Sequence, residues 1–144
     1  MRFWDSSAIL PLVIEQQPFS RTCQLLLADR GARAVGFSAR IECRSGVERL
    51  FREGLLPAVD RARAVADLDA LLDRFDVVAF SNSVENRALE LLGRHELRAL
   101  DAMQLACALA LRGGRTARLV AFVSCDRRLG RAAAAEGLDL VPAQ

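Results

Sequence analysis

Four acidic residues follow or interrupt apolar segments, where a charged side chain needs a physical reason. Asp5 ends a short apolar run, and Asp126 comes just after the β-rich segment 119–124. Glu42 and Asp101 interrupt apolar surroundings inside segments of helical periodicity. Each residue alone also suits a plain structural role, because Asp5 and Asp126 could be helix N-caps and Asp101 a first-turn acid.

Together, these carboxylates form an acidic site if the fold brings them to one place. Two like charges about 4 Å apart repel by about 4 kcal/mol at an effective dielectric of about 20, so protons or a cation must share such a site. Oxygen ligands without His or Cys favour hard ions, Mg²⁺ or Mn²⁺, which pair with phosphate oxygens. This arrangement supports metal-assisted hydrolysis of phosphodiester bonds.

The elements that must position the acids alternate along the chain. Continuous apolar runs are typical of strands buried on both faces of a parallel sheet, and the candidates are residues 2–5, 34–37, 76–80, 119–124 and 139–141. Segments of helical periodicity separate these runs, so the sequence predicts an α/β class and a single domain. Ligands of open parallel sheets bind beyond the carboxyl ends of the strands, where Asp5 and Asp126 would lie.

Composition excludes several other chemistries. All 20 basic residues are Arg and none is Lys, which rules out a P-loop lysine and a Schiff-base lysine. The net charge of +2 does not by itself indicate a nucleic-acid partner. The 4 cysteines form no zinc pattern and suit buried free thiols in a reducing cytoplasm. No apolar run is long enough for a membrane span, and no signal peptide is recognisable, so we expect a cytoplasmic protein without membrane contact.

Four features occur in a familiar order over nearly the whole chain: Phe3-Trp4-Asp5-Ser6-Ser7-Ala8, then Ser38 followed by Glu42, then Leu100-Asp101-Ala102, then Phe122-Val123-Ser124-Cys125-Asp126. In these features the sequence resembles PIN-domain ribonucleases, and among them the VapC toxins of type II toxin–antitoxin pairs. The resemblance implies a single PIN-like domain over residues 1–144, with a five-stranded parallel sheet flanked by helices.

The resemblance also implies an activity, a cofactor and partners. The acidic pocket would bind Mg²⁺ or Mn²⁺ and cleave RNA, and the partners would be a VapB-type antitoxin and a second copy of the chain. The family's positions map onto two groups of residues. The catalytic metal ligands are Asp5, Glu42, Asp101 and Asp126, and the supporting hydroxyls are Ser6 and Ser124.

Contacts to RNA would have to come from arginine. Arg40 and Arg44 flank Glu42, and Arg127 and Arg128 follow Asp126. Such side chains can position phosphates without reading base sequence. A solvated helix surface explains the same arginines equally well.

Other functions fit the same acids. A housekeeping RNA-processing PIN nuclease keeps the fold without the toxin role, and a non-catalytic module could use the pocket to bind Mg²⁺ or a partner's arginine. A phosphatase with Asp5 as nucleophile is also conceivable, but Ser7 stands where its usual second acid would be.

Overall fold

One parallel sheet forms the centre of the molecule. The computed structural model describes residues 1–16, 18–113 and 120–142. The strand order is β3-β2-β1-β4-β5, and the strands are β1 (Arg2–Trp4), β2 (Arg33–Gly36), β3 (Asp76–Val78), β4 (Ala121–Ser124) and β5 (Asp139–Pro142). Each strand falls within or overlaps a segment that the apolar runs predict, so the α/β fold is confirmed. Leu119, the first residue of one predicted strand, lies outside the described residues.

Helices connect the strands and cover both faces of the sheet. In the described ranges they are α1 (Ser6–Val13), α2 (Phe19–Ala28), α3 (Ala39–Arg52), α4 (Ala58–Leu72), α5 (Asn82–Arg94), α6 (Ala99–Arg112) and α7 (Arg127–Ala135). No helix among them combines the length and the apolarity needed to cross a membrane.

Alternate residues of the central strands build two apolar layers. Phe3 of β1 stacks on Phe122 of β4, with ring centroids 5.7 Å apart, within a cluster on one face of the sheet. The next residue, Trp4, packs edge-on against Phe75 in a second cluster on the other face. Both strands are therefore buried on both faces, which explains their continuous apolar sequence.

The order of the strands determines where a site can form. The chain runs from β1 through β2 to β3 on one side, and then crosses to β4 and β5 on the other. Since the direction of winding reverses between β1 and β4, their carboxyl ends border a crevice in which α/β proteins bind ligands. Asp5 and Asp126 stand directly beyond or close to these two strand ends.

Candidate active site

A cavity of about 610 Å³ lies beside the ends of β1 and β4. Its lining includes all the acids that the sequence singles out, Asp5, Glu42, Asp101 and Asp126, together with Ser6. As the side chains stand in the described part of the chain, no three His, Cys, Asp or Glu residues lie close enough to hold one metal ion by themselves. The four acids therefore line one cavity, but no three of them lie close enough together to coordinate one ion.

Asp5 is the most deeply buried of these acids, with 3% of its surface exposed. It is the N-cap of α1, and its Oδ2 accepts hydrogen bonds from the backbone N–H and the hydroxyl of Ser7. The Ser124 hydroxyl donates to the same oxygen at 3.2 Å. The Ser6 hydroxyl lies 3.5 Å from Oδ1, at the outer limit of a hydrogen bond.

Asp126 connects the end of β4 to α7. Its Oδ1 accepts from the backbone N–H groups of Arg128, at 2.8 Å, and Leu129, at 3.0 Å, and so caps the helix. Its own backbone N–H donates to the Ser124 hydroxyl at 3.1 Å. Asp5 and Asp126 therefore do act as N-caps, and they also line the cavity, so the two interpretations of these acids are compatible.

Glu42 reaches the cavity from the first turn of α3. Its Oε2 accepts a hydrogen bond from the Ser38 hydroxyl at 2.9 Å and another from Nε2 of Gln104, a residue of α6. Gln104 is 1% exposed, and in the described structure its Oε1 has no hydrogen-bond partner. The Gln104 side chain therefore fastens Glu42 to a different helix from its own.

The backbone of β2 leaves room for this glutamine. A Cβ atom at Gly36 would lie 2.9 Å from Gln104 Oε1, closer than van der Waals contact permits. A side chain at position 36 would therefore displace Gln104 and, with it, the support of Glu42.

Asp101 occupies the first turn of α6, as expected for a helix N-terminus. Its i+3 neighbour on the same helix is Gln104, so α6 contributes one acid of the cavity directly and holds a second one, Glu42, in place.

Burial is the main influence on the ionisation of three of these carboxyls. It raises the pKa of Asp5, Glu42 and Asp101 above the ordinary values, and neighbouring acids add to the increase in each case. The hydrogen bonds from Ser7 and Ser124 partly offset the effect on the pKa of Asp5, and those from Gln104 and Ser38 do so for Glu42. A positive charge in the cavity would favour the ionised form of each carboxyl and so lower these pKa values.

Arginines line a second cleft, of about 240 Å³, next to the acidic cavity. The two share Arg98, Asp101 and Asp126, and the smaller cleft adds Arg127, Arg128 and Arg131. In the portion of the chain that is described, none of these arginines forms an ion pair. Arg131 Nε donates to the backbone carbonyl of Arg127 at 3.3 Å, and its two terminal nitrogens and the other guanidinium groups can reach an anionic ligand at the acids.

Arg40 and Arg44 are placed differently from Arg127 and Arg128. Arg40 forms ion pairs with Asp69 and Asp73 of the α4 region, and Arg44 pairs with Glu48 on its own helix. Neither lines the acidic cavity, whose arginines are Arg49 and Arg98. Residues at i−2 and i+2 of a helix point away from residue i, which explains why Arg40 and Arg44 lie beside other partners than Glu42.

Ser7 and Gln104 are supporting residues that the sequence reasoning did not select. An Asx-type pattern, in which a capping Asp is followed two residues later by Ser, could have indicated Ser7. A polar residue inside the apolar run of α6 was the available signal for Gln104, although its partner on α3 could not be identified from it.

The donors of the cavity fit a hard divalent cation. Carboxylate and hydroxyl oxygens surround it, and its openness allows such an ion to keep several of its waters, as Mg²⁺ usually does. Burial and neighbouring carboxylates raise the pKa values of Asp5, Glu42 and Asp101, and a cation in the cavity would stabilise their ionised forms.

Comparison with known families identifies the fold. The model of the PIN domain matches residues 2–135, and the chain belongs to this family. No curated protein matches the sequence.

Several solved structures have a similar fold. FitAcB from Neisseria gonorrhoeae is 16% identical, with a TM-score of 0.73 over 99% of this chain and 98% of that one. A toxin–antitoxin complex from Klebsiella pneumoniae is 16% identical, with a TM-score of 0.69 over 100% and 98%. VapC20 from Mycobacterium tuberculosis, a sarcin-ricin loop cleaving toxin, is 19% identical, with a TM-score of 0.69 over 96% of each chain. At these identities the similarity establishes a shared fold.

Proposed function

We propose that this PIN-domain protein is a Mg²⁺- or Mn²⁺-dependent endoribonuclease that acts as the toxin of a type II toxin–antitoxin pair. The observation that carries the proposal is the meeting of Asp5, Glu42, Asp101 and Asp126 around one cavity, beside an arginine cleft that shares two of these acids. An acidic centre for a cation, next to guanidinium groups that form no ion pair within the described residues, suits a substrate with consecutive phosphates.

Each side chain has a role in this proposal. Asp5 and Asp101 hold the cation, and Glu42 and Asp126 complete its surroundings directly, through water, or by orienting the attacking water. The bound cation supplies activation of a water and stabilisation of the charge that develops on the phosphate. Ser7 and Ser124 fix Asp5, while Ser38 and Gln104 fix Glu42.

Arg98, Arg127, Arg128 and Arg131 are the proposed phosphate contacts next to the reacting bond. Their cleft continues from the acidic cavity, so a polynucleotide can place one phosphate at the acids and a neighbouring one at the guanidinium groups. Arg40 and Arg44 have no part in this proposal, because carboxylates already hold them.

The toxin role and the partners are supported by two structural neighbours, a toxin–antitoxin complex from Klebsiella pneumoniae and the toxin VapC20 from Mycobacterium tuberculosis. A VapB-type antitoxin and a second copy of this chain are the proposed partners. Apolar side chains at the rim of the cavity suit such contacts, since Ile41 is 73% and Leu100 is 45% exposed.

Cleavage of a panel of structured and single-stranded RNAs tests the enzyme. We expect cleavage by the wild type with Mg²⁺ or Mn²⁺, none with EDTA, and a rate about 10³-fold lower with Asp5→Asn or Asp101→Asn. Asp67→Asn removes an exposed acid of α4 outside the cavity and serves as the matched control, with full activity expected. Cleavage that survives both cavity substitutions would contradict the proposal.

Growth of bacteria that express the protein separates a toxin from a housekeeping nuclease. We expect arrest by the wild type, recovery with Asp101→Asn, and recovery on co-expression of the cognate antitoxin. Arrest that persists with an inactive Asp101→Asn variant would favour a non-catalytic binding module.

A further inference from the structure

Two cysteine thiols far apart in sequence touch next to the acidic cavity. The Sγ atoms of Cys23 and Cys125 lie 3.9 Å apart, although 102 positions separate the residues along the chain. Cys23 belongs to α2, and Cys125 lies in the bend between β4 and α7. Both are free thiols.

The surroundings make the two sulfurs unequal. Cys23 is fully buried in the apolar cluster that contains Trp4 and Val123, whereas Cys125 packs on the edge of this cluster and is partly exposed. A small oxidant from solvent can therefore reach Cys125 first. The contact with Cys23 then places a second thiol where it can attack the modified sulfur.

We propose that Cys23 and Cys125 are a modification site that forms a reversible disulfide with a low-molecular-weight disulfide as oxidant. The Cys125 sulfur, having lost its proton, attacks one sulfur of the oxidant, so that a mixed disulfide forms and one small thiol leaves. The Cys23 sulfur, having lost its proton, attacks Cys125 Sγ and releases the second small thiol. Two cysteine thiols are oxidised, one small disulfide is reduced, and the two protons end on the two thiols released.

Closing the bond needs a short movement. The sulfurs must approach from 3.9 Å to about 2.05 Å. Cys125 also stands between two residues of the site, and its backbone N–H donates to the Ser7 hydroxyl at 2.9 Å. The disulfide would thus tie α2 covalently to the segment that carries Ser124 and Asp126.

The experiment is a thiol count on the folded, full-length protein. The protein is equilibrated in buffers of increasing oxidised-to-reduced glutathione ratio, and the exchange is then quenched with acid. After alkylation, mass spectrometry counts the remaining thiols, and peptide mapping identifies the cysteines that are joined. Cys107→Ser is the matched control, because Cys107 lies in α6 within the other apolar cluster and burial raises the pKa of its thiol to about 11. This readout is independent of nuclease activity, so its failure and that of the proposed function are separable.

We expect the wild type and Cys107→Ser each to lose two alkylatable thiols and to yield one peptide pair that joins Cys23 to Cys125. Cys23→Ala is expected to stop at a glutathione adduct on Cys125, and Cys125→Ser to lose no thiol. A wild type that keeps every thiol, stops at the adduct, or bridges Cys43 or Cys107 instead would overturn the proposal. The map of the wild type decides this even if a variant fails to fold.

Discussion

Asp5 and Glu42 lie on two sides of one cavity, and different kinds of partner hold their carboxylates. Asp5 takes its hydrogen bonds from Ser7, two residues further along the chain, and from Ser124 at the end of the adjacent strand. Glu42 takes one from Ser38, a turn earlier, and one from Gln104 on α6. The Asp5 side is therefore fixed by the sheet and its first turn, and the Glu42 side by the packing of two helices.

This difference shows two ways in which hydrogen-bond donors stabilise neighbouring carboxylates that repel one another. On both sides burial raises the pKa of the carboxyl, and two side-chain donors partly compensate. On the Asp5 side the compensation is mostly local, whereas on the Glu42 side it depends on the correct placement of α6 against α3. Five predictions test this account.

Removing the carboxylate charge should have the largest effect, and on both sides equally. Asp5→Asn and Glu42→Gln are each expected to lower RNA cleavage by about 10³-fold, equivalent to about 4 kcal/mol of transition-state stabilisation, because each removes a ligand of the cation site. Single-turnover cleavage rates measure this. A Glu42→Gln variant within tenfold of the wild type would place Glu42 outside the catalytic machinery.

Removing a supporting side chain should cost less, about 10- to 100-fold in cleavage rate or Mn²⁺ affinity. Ser7→Ala tests the Asp5 side and Gln104→Leu the Glu42 side, with Gln24→Leu on the surface of α2 as control. Gln104→Leu should change thermal stability little, because it removes a buried oxygen that has no partner in the described structure together with the hydrogen bond to Glu42, and these two losses have opposite signs.

A double-mutant cycle identifies the route of the Gln104 effect. If Gln104 acts through Glu42, adding Gln104→Leu to Glu42→Gln should cause little further loss of Mn²⁺ affinity. Adding it to Asp5→Asn should preserve most of its separate effect. Equal additivity in the two backgrounds would contradict the division into two sides.

Arginine substitutions should have a smaller effect, on binding. Arg98→Ala is expected to weaken RNA binding several-fold and to lower the slope of log affinity against log salt by about 0.7, the value for one phosphate contact in a single strand. Arg40→Ala is the matched control, because its guanidinium is held by Asp69 and Asp73. RNA-binding titrations at several salt concentrations measure the affinity and its salt dependence for each variant. Equal slopes for the two variants would contradict a role of the arginine cleft in RNA binding.

The smallest effect expected is on stability. Since the pKa of Asp101 is raised in the folded state, the folded protein is more stable when this carboxyl is protonated. This stabilisation is present at low pH and is lost as the pH rises through the raised pKa. Asp101→Asn should therefore raise the Tm at neutral pH by a few degrees, with the gain disappearing below about pH 4. Mn²⁺ should raise the Tm of the wild type more than that of the variant. Thermal unfolding across pH tests this.

The sequence was sufficient to predict the fold and to select the four acids, but their meeting at one cavity is seen only in the structure. Unalternating apolar runs such as Phe3-Trp4 indicate strands buried on both faces, and the acids that follow them lie at the strand ends. Glu42 and Asp101 were recognisable because a charge interrupts an apolar stripe. All of these signals are local, as patterns in one stretch of chain.

The remaining features depend on contacts between distant segments. Gln104 could be seen as a polar residue in an apolar helix, but its bond to Glu42 exists only through the packing of α6 on α3. Arg98 gave no signal beyond its type, and Arg40 was placed beside the site because it is near Glu42 in sequence. Helix geometry directs that side chain toward α4 instead, where Asp69 and Asp73 bind it.

The central claim is that the four acids form one divalent-cation site. The most direct measurement is a crystal structure of the protein with Mn²⁺, with anomalous differences recorded at the manganese edge. The account predicts a peak in the cavity between Asp5 and Asp101, with Glu42 or Asp126 in direct or water-mediated contact, and no such peak in Asp5→Asn. A fully occupied peak elsewhere, or an empty cavity at a Mn²⁺ concentration that supports cleavage, would contradict it.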